Sequence, residues 1–329
     1  MGEKKHGFPK KRIIFSTVIF LIMTAVSGLC FSVLGTENLL PATMMVVQAL
    51  MISFAKIDEK PIILFLKVLV LNVSMCVLES VVYMNMWVGI FIVFGLVFCA
   101  ATLLYRDRGM QVYFPFLLCN IYMMVGTPLP ITQIGDRLIA MVGGAVLVGI
   151  AQIAGMKRMK GEAAGIANFM KKFEIDTKSV RFSFAFRLAL GVTLMWFIVR
   201  FFDIEYGKWL VISVNSIVMP SIPSAKVKLR KRILGCVIGV AIFFVLHTLI
   251  HSLVVWLIIL VAAAWCSIFF MSRYEVKCIC YSILSLSAIA FSEPAGMGFV
   301  IDRPLFVIIG GCFAMLINLF ILRREEGES

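Results

Sequence analysis

The sequence predicts an all-α polytopic membrane protein with about twelve transmembrane helices, arranged as two parallel six-helix repeats. Three observations lead there. The 329-residue chain is 61% hydrophobic and 15% charged, with a mean hydropathy of +1.02. Its apolar residues fall in long runs without charge. Its cations gather on alternate connections between those runs. A soluble domain is about half apolar and about a quarter charged. A soluble enzyme, a nucleic-acid-binding domain and a disordered chain do not fit this composition. The net charge of +13, from 31 Lys and Arg against 18 Asp and Glu, would suggest nucleic acid in a soluble chain. In so apolar a chain it is expected to follow the positive-inside rule, with no nucleic-acid partner.

A basic tail, 1–12, precedes the first uncharged run, Ile13 to Thr36. The first repeat, 13–156, is expected to hold helices over 13–35, 39–55, 61–82, 85–105, 110–127 and 136–156. Lys67 is the one charge between Pro61 and Leu78, and Ser80 to Tyr105 has none. The connection 157–181 is polar but places Ile166, Phe169, Met170 and Phe173 on one helical face, as an amphipathic helix on the inner leaflet would. The second repeat, 182–322, is expected to hold helices over 183–202, 208–224, 232–250, 253–272, 275–292 and 303–322. Ile233 to Ser272 is uncharged and too long for one span, so it divides near His251 and Ser252. A tail over 323–329 closes the chain. Barrel strands would alternate and would be shorter. The first run is longer than a signal h-region and is followed by further spans.

With both termini cytoplasmic, all but four of the 31 cations fall inside; Arg137, Arg200, Lys208 and Arg303 remain outside. Trp87, Trp209 and Trp256 fall at outer helix ends, where an interfacial aromatic belt is expected. The halves also match at a constant offset. Pro128 meets Pro294, Asp136 meets Asp302, Arg137 meets Arg303 and Gln152 meets Asn318. One residue further on, Gln48 meets Asn215, and Gly143-Gly144 meets Gly310-Gly311.

Ionisable groups inside a membrane are costly and face a cavity or a partner. Asp136-Arg137 and Asp302-Arg303 open the sixth and twelfth predicted helices. They read either as a substrate or proton site or as Asp N-caps with Arg at the interface. Gln48, Asn72, Asn120, Gln152, Asn215 and Asn318 lie inside predicted spans. They either line a pathway or join helices, the latter worth about 0.6 kcal/mol each. Arg187 and Lys67 lie inside their helices and form an inner anion vestibule or snorkel to the headgroups. The cluster from Lys226 to Arg232 reads as a topology signal in contact with anionic lipid. Glu79, Asp203, Glu205 and Glu293 are outer-side acids, any of which could relay protons. His247 and His251 share a face but lack further ligands, so no metal is expected. The nine cysteines lie mostly within apolar spans, which disfavours disulfides. No phosphate-loop, His-Glu-x-x-His or Gly-x-Ser-x-Gly pattern occurs, so neither an enzyme nor a cofactor is expected.

Residues 181–243 carry a specific pattern: Arg187, Gly207 with Trp209, Pro220 with Ser221, then Arg232 with Gly235 and Gly239. This resembles the fusaric acid resistance and aromatic acid exporter family. Gly35, and Arg137 with Gly143-Gly144, resemble the same helices more weakly. The chain departs from the family at Cys236, where a Thr is usual, and in having only a short polar connection between halves. The resemblance implies export of organic anions, often aromatic carboxylates, from the cytoplasm across a bacterial inner membrane. It also implies a periplasmic membrane-fusion protein as a partner of some members. The proton gradient or the membrane potential would drive export. A passive anion channel is the alternative, because plant malate channels are similar in membrane architecture. A third reading is a non-transporting subunit that docks the adaptor.

Overall fold

The computed structural model describes residues 10–35, 38–54, 60–104, 113–126, 129, 133–158, 179–250, 252–270, 273–292 and 298–321. The expected amphipathic connection lies mostly outside these residues, as do His251 and Glu293. Among the described residues there is no strand. Six α-helices come first: α1 (Lys10–Leu34), α2 (Leu39–Phe54), α3 (Pro61–Met84), α4 (Met86–Leu104), α5 (Tyr113–Ile121) and α6 (Ile134–Arg158). Six more follow: α7 (Val180–Phe201), α8 (Lys208–Ile217), α9 (Ile222–Leu249), α10 (Leu253–Phe269), α11 (Tyr274–Ser292) and α12 (Gly298–Phe320). A π-helical turn, Tyr122–Gly126, continues α5. Six of these helices (α3, α4, α7, α9, α11 and α12) contain a stretch long and apolar enough to cross a membrane.

Local chemistry fixes the ends. Gly35 follows α1 at φ 83°, a left-handed value that favours glycine. Pro61 opens α3, where a missing N–H costs nothing. Asn85 ends α3 and caps α4, its Oδ1 accepting from the N–H groups of Trp87 (3.0 Å) and Val88 (3.1 Å). Ser179 caps α7, its hydroxyl oxygen accepting from the Phe182 N–H at 3.1 Å.

Three boundaries differ from expectation. Helix α9 begins at Ile222, so Lys226 to Arg232 is helical and not part of a connection. Lys and Arg interrupt a hydropathy run without disfavouring a helix. Helix α8 stops at Ile217, short of Pro220. Helix α12 begins at Gly298, which puts Asp302-Arg303 in its second turn and Pro304 inside it.

The chain divides into two compact units, and each draws on both halves of the sequence. The smaller is Met1–Ala25 with Lys226–Ile309; the larger is Val26–Ala225 with Gly310–Ser329. In the larger unit, α6 packs on α2 and α3, α4 packs on α3 and α7, and α8 packs on α7. Helix α5 touches α2, α4 and α8. Small residues set the spacing. A Cβ on Gly144 would lie 2.5 Å from Met45 Cγ, and one on Gly310 would lie 2.6 Å from the Leu210 carbonyl oxygen. In the smaller unit, α10 packs on α11, and Phe243, Phe291 and His247 surround Trp256.

The tryptophan belt is corrected in part. Trp87 is 61% exposed, but Trp209 and Trp256 are buried. Trp209 stacks on Tyr206 at 5.5 Å, and Trp256 donates its indole N–H to the Ile250 carbonyl at 3.1 Å. A helix-end position in sequence does not say whether the ring turns outward or into its own unit.

Candidate functional site

The larger unit brings three buried amides onto its three short helices. Helices α2, α5 and α8 have 16, 9 and 10 residues. Helix α5 packs against both of the others. Gln48 on α2, Asn120 on α5 and Asn215 on α8 are each buried. Neither amide atom of Gln48 or of Asn215 has a hydrogen-bond partner, nor has Nδ2 of Asn120. The Thr193 hydroxyl on α7 is in the same condition. Each such buried group costs about 1–3 kcal/mol. Asn120 lies two residues before the π-helical turn, a distortion often found at functional sites. On α8, Leu210 and Ser213 face Gly310 of α12, and Val214 faces Gly191 of α7. Asn215 lies about 100° further round the helix than Val214, turned away from α12.

The other predicted amides are used differently. Asn72 donates to the Met141 carbonyl at 2.9 Å and to Met45 Sδ at 3.3 Å, bracing α3 against α6 and α2. Asn318 donates to the Ile217 carbonyl at 3.2 Å and accepts from the Met219 N–H at 3.4 Å. It therefore satisfies backbone groups left open where α8 ends. Gln152 is buried on α6.

Arg187 does not snorkel. It is 1% exposed and donates to the carbonyls of Ser183 (3.3 Å), Asn318 (3.4 Å) and Pro220 (3.4 Å). It ties α7 to α12 and to the turn between α8 and α9. Lys67 is also buried.

The two Asp-Arg pairs part company. Asp136 is exposed in the first turn of α6, while Arg137 points inward and is fully buried. Arg137 Nη1 meets Glu79 Oε1 of α3 at 2.8 Å, with neither side chain exposed. Its Nε donates to Asn38 Oδ1 at 3.1 Å, and Asn38 donates in turn to the Leu34 carbonyl at 2.7 Å. The other carboxylate oxygen of Glu79 has no partner. Cys119, next to Asn120, lies within electrostatic reach of this pair. At the repeat offset, Glu79 corresponds to Val245, so the second half has no equivalent acid. Arg303 in the smaller unit instead donates to the Tyr281 carbonyl at 3.3 Å. Asp302 is half-buried beside it.

Sequence reasoning placed Glu79 among several outer acids and did not pair it. An acid within an apolar span was the available signal. Asn38 and Thr193 carried no signal of their own. Among the described residues no group of His, Cys, Asp and Glu is placed to hold a metal ion.

Apolar helices that bury amides and an ion pair define a multi-pass membrane protein of transporter-like character. Residues 194–317 match the family model described as fusaric acid resistance protein-like. Over this segment the chain is similar to that family. Gly207, Trp209, Pro220, Arg232, Gly235 and Gly239 lie inside the match, and Arg187 lies just before it. No curated protein and no solved structure matches the chain.

Proposed function

We propose that this protein exports organic anions, aromatic or other carboxylates, across a bacterial inner membrane, with both termini cytoplasmic. The proton gradient or the membrane potential drives it. One observation carries the reading: Gln48 and Asn215 bury unpartnered amides, and Asn120 an unpartnered amide nitrogen, on three short helices linked by α5 packing. An amide N–H can replace water around a carboxylate, and hydrogen bonds to a charged group are worth about 1.5–3 kcal/mol. Amides carry no net charge, so they hold an anion without trapping it. The cations near such a path, Arg137 and Arg187, are already engaged with Glu79 and with carbonyls. They would shape the path more than bind in it.

The two-repeat, twelve-span architecture is part of this proposal. It is supported by a glycine of α6, Gly144, approaching α2 and a glycine of α12, Gly310, approaching α8, which are corresponding helix pairs of the two halves. Neither a cofactor nor an enzymatic step is needed. A periplasmic membrane-fusion protein is the proposed partner. Deletion of the gene should raise intracellular retention of aromatic carboxylates such as benzoate, and wild-type expression should reverse it. Equal retention in both strains would remove the export reading.

A further inference from the structure

Glu79 is the single acid of α3 and is fully buried. It lies five residues before Met84, where the helix ends, which is about 7–8 Å along the axis. Its carboxylate is held at one oxygen. Oε1 accepts from Arg137 Nη1 at 2.8 Å, whereas Oε2 is buried with no hydrogen-bond partner among the described residues. The Leu129 backbone also faces the carboxyl group, and the Leu129 carbonyl accepts from the Ser80 hydroxyl at 2.9 Å. An ionised carboxylate accepts at both oxygens, so a bare one out of water is costly. A proton on Oε2 would remove that cost and leave Oε1 free to accept from Arg137.

The arginine has a second hold, since its Nε donates to Asn38 Oδ1 at 3.1 Å. Nor does burying an arginine at this place require an acid. At the repeat offset Val245 corresponds to Glu79, yet Arg303 is still buried. The other groups facing Glu79 carry no fixed charge: Cys76 on α3 and Cys119 on α5 are thiols within its electrostatic reach. Helix α4 and the π-helical turn bring no charged residue, and Asp136 of α6 is exposed. The cluster also adjoins the amide site at two points. Cys119 directly precedes Asn120, and Asn38 directly precedes α2, which carries Gln48.

We propose that Glu79 is the proton-binding group that couples the amide site to a proton gradient, taking up and releasing one proton at Oε2. This deepens the export reading and rests on it. On uptake, a lone pair of Oε2 forms an O–H bond to a proton delivered by water, and the carboxylate becomes a neutral acid. Arg137 keeps its charge but loses its counter-charge on α3. That loss disfavours the present packing of α3 on α6 relative to an alternative arrangement, which is how a change of charge biases a two-state element. On release, the O–H bond breaks, its electron pair stays on Oε2, and the proton passes to water on the other side.

The test has two arms, both on the purified full chain. The first needs no transport. Infrared difference spectra are recorded in detergent across the pH range in which the protein stays folded. The wild type should show a reversible C=O band of a buried carboxylic acid that is absent from Glu79→Gln and retained in Asp136→Asn. The second arm uses vesicles with the voltage clamped and phthalate on both sides, because a dianion crosses bare lipid slowly. An imposed pH gradient should decay faster with phthalate than without it. Glu79→Gln should slow that phthalate-dependent proton flux by about tenfold or more, equivalent to about 1.4 kcal/mol, while phthalate counterflow at equal pH persists. If Glu79→Gln does not fold, Glu79→Gln with Arg137→Gln leaves neither charge unpaired and takes its place in both arms. A missing band in the wild type, or a band unchanged in the Gln variant, overturns the proposal. So does phthalate exchange by the wild type without proton movement, or proton flux undiminished in the Gln variant. Wild-type vesicles that exchange no phthalate count against the export reading instead, and the infrared arm then decides whether Glu79 binds a proton.

Discussion

Arg137 and Glu79 meet at 2.8 Å with neither side chain exposed, although 58 residues separate them. Removing one member of a fully buried pair leaves the other as an uncompensated charge, at a cost of about 3–5 kcal/mol. Glu79→Gln and Arg137→Gln should therefore each lower the unfolding temperature in detergent markedly. The double substitution should be milder than the sum of the two. Additive losses in a double-mutant cycle would show that the two groups are not coupled in the folded protein.

The amides divide into two classes with opposite expectations. Gln48 and Asn215 have no partners, so leucine at either position removes a polar burial cost of about 1–3 kcal/mol. Gln48→Leu and Asn215→Leu should keep or raise stability while slowing carboxylate flux. Asn318→Leu should do the reverse, lowering stability because it abandons the Ile217 carbonyl and the Met219 N–H. Thermal unfolding and flux measured on the same preparations separate the classes. Loss of stability in Asn215→Leu equal to that in Asn318→Leu would place both amides in the scaffold.

That division was not legible in the sequence. Gln48, Asn215 and Asn318 are alike as amides in apolar runs, and for each of them the sequence leaves pathway lining and helix joining both open. What separates them is whether a neighbouring helix ends beside them, a tertiary fact. Asn318 lies where α8 stops and its backbone is open. The helices themselves were legible, because an uncharged run has few other options in lipid. Their ends were legible where Pro61 or Asn85 acts locally. The start of α12 was not, since Asp302, Arg303 and Pro304 look like a beginning yet sit in the second turn. The partner of Arg137 was hidden for the same reason as the roles of the amides: Glu79 and Asn38 reach it only through the packing of distant segments.

Close helix approach gives a third expectation. Gly310→Ala places a Cβ 2.6 Å from a backbone oxygen of α8, which cannot yield as a side chain can. Overpacking of this kind costs about 1–3 kcal/mol. Gly143→Ala has nothing within 4 Å and should be neutral, or stabilising by up to about 1 kcal/mol. Equal unfolding temperatures for the two variants would contradict the packing of α12 on α8.

Orientation gives the fourth. Asn85 and Lys60 are exposed at opposite ends of α3. On a cysteine-free background, a cysteine at Asn85 should react with an impermeant thiol reagent in intact cells, and one at Lys60 only after permeabilisation. The opposite pattern would invert the topology and place the Glu79–Arg137 pair toward the cytoplasm.

The central claim is that this chain by itself moves organic anions past the buried amides. Counterflow in liposomes tests it most directly. Vesicles holding the purified protein and unlabelled benzoate are diluted into labelled benzoate, and entry of label is followed. The account predicts transient accumulation with the wild type, slowed about tenfold or more when Gln48 and Asn215 are both leucine, an effect of about 1.4 kcal/mol on the rate-limiting barrier. Entry no faster than into protein-free vesicles would contradict it, as would full-rate accumulation by the leucine pair.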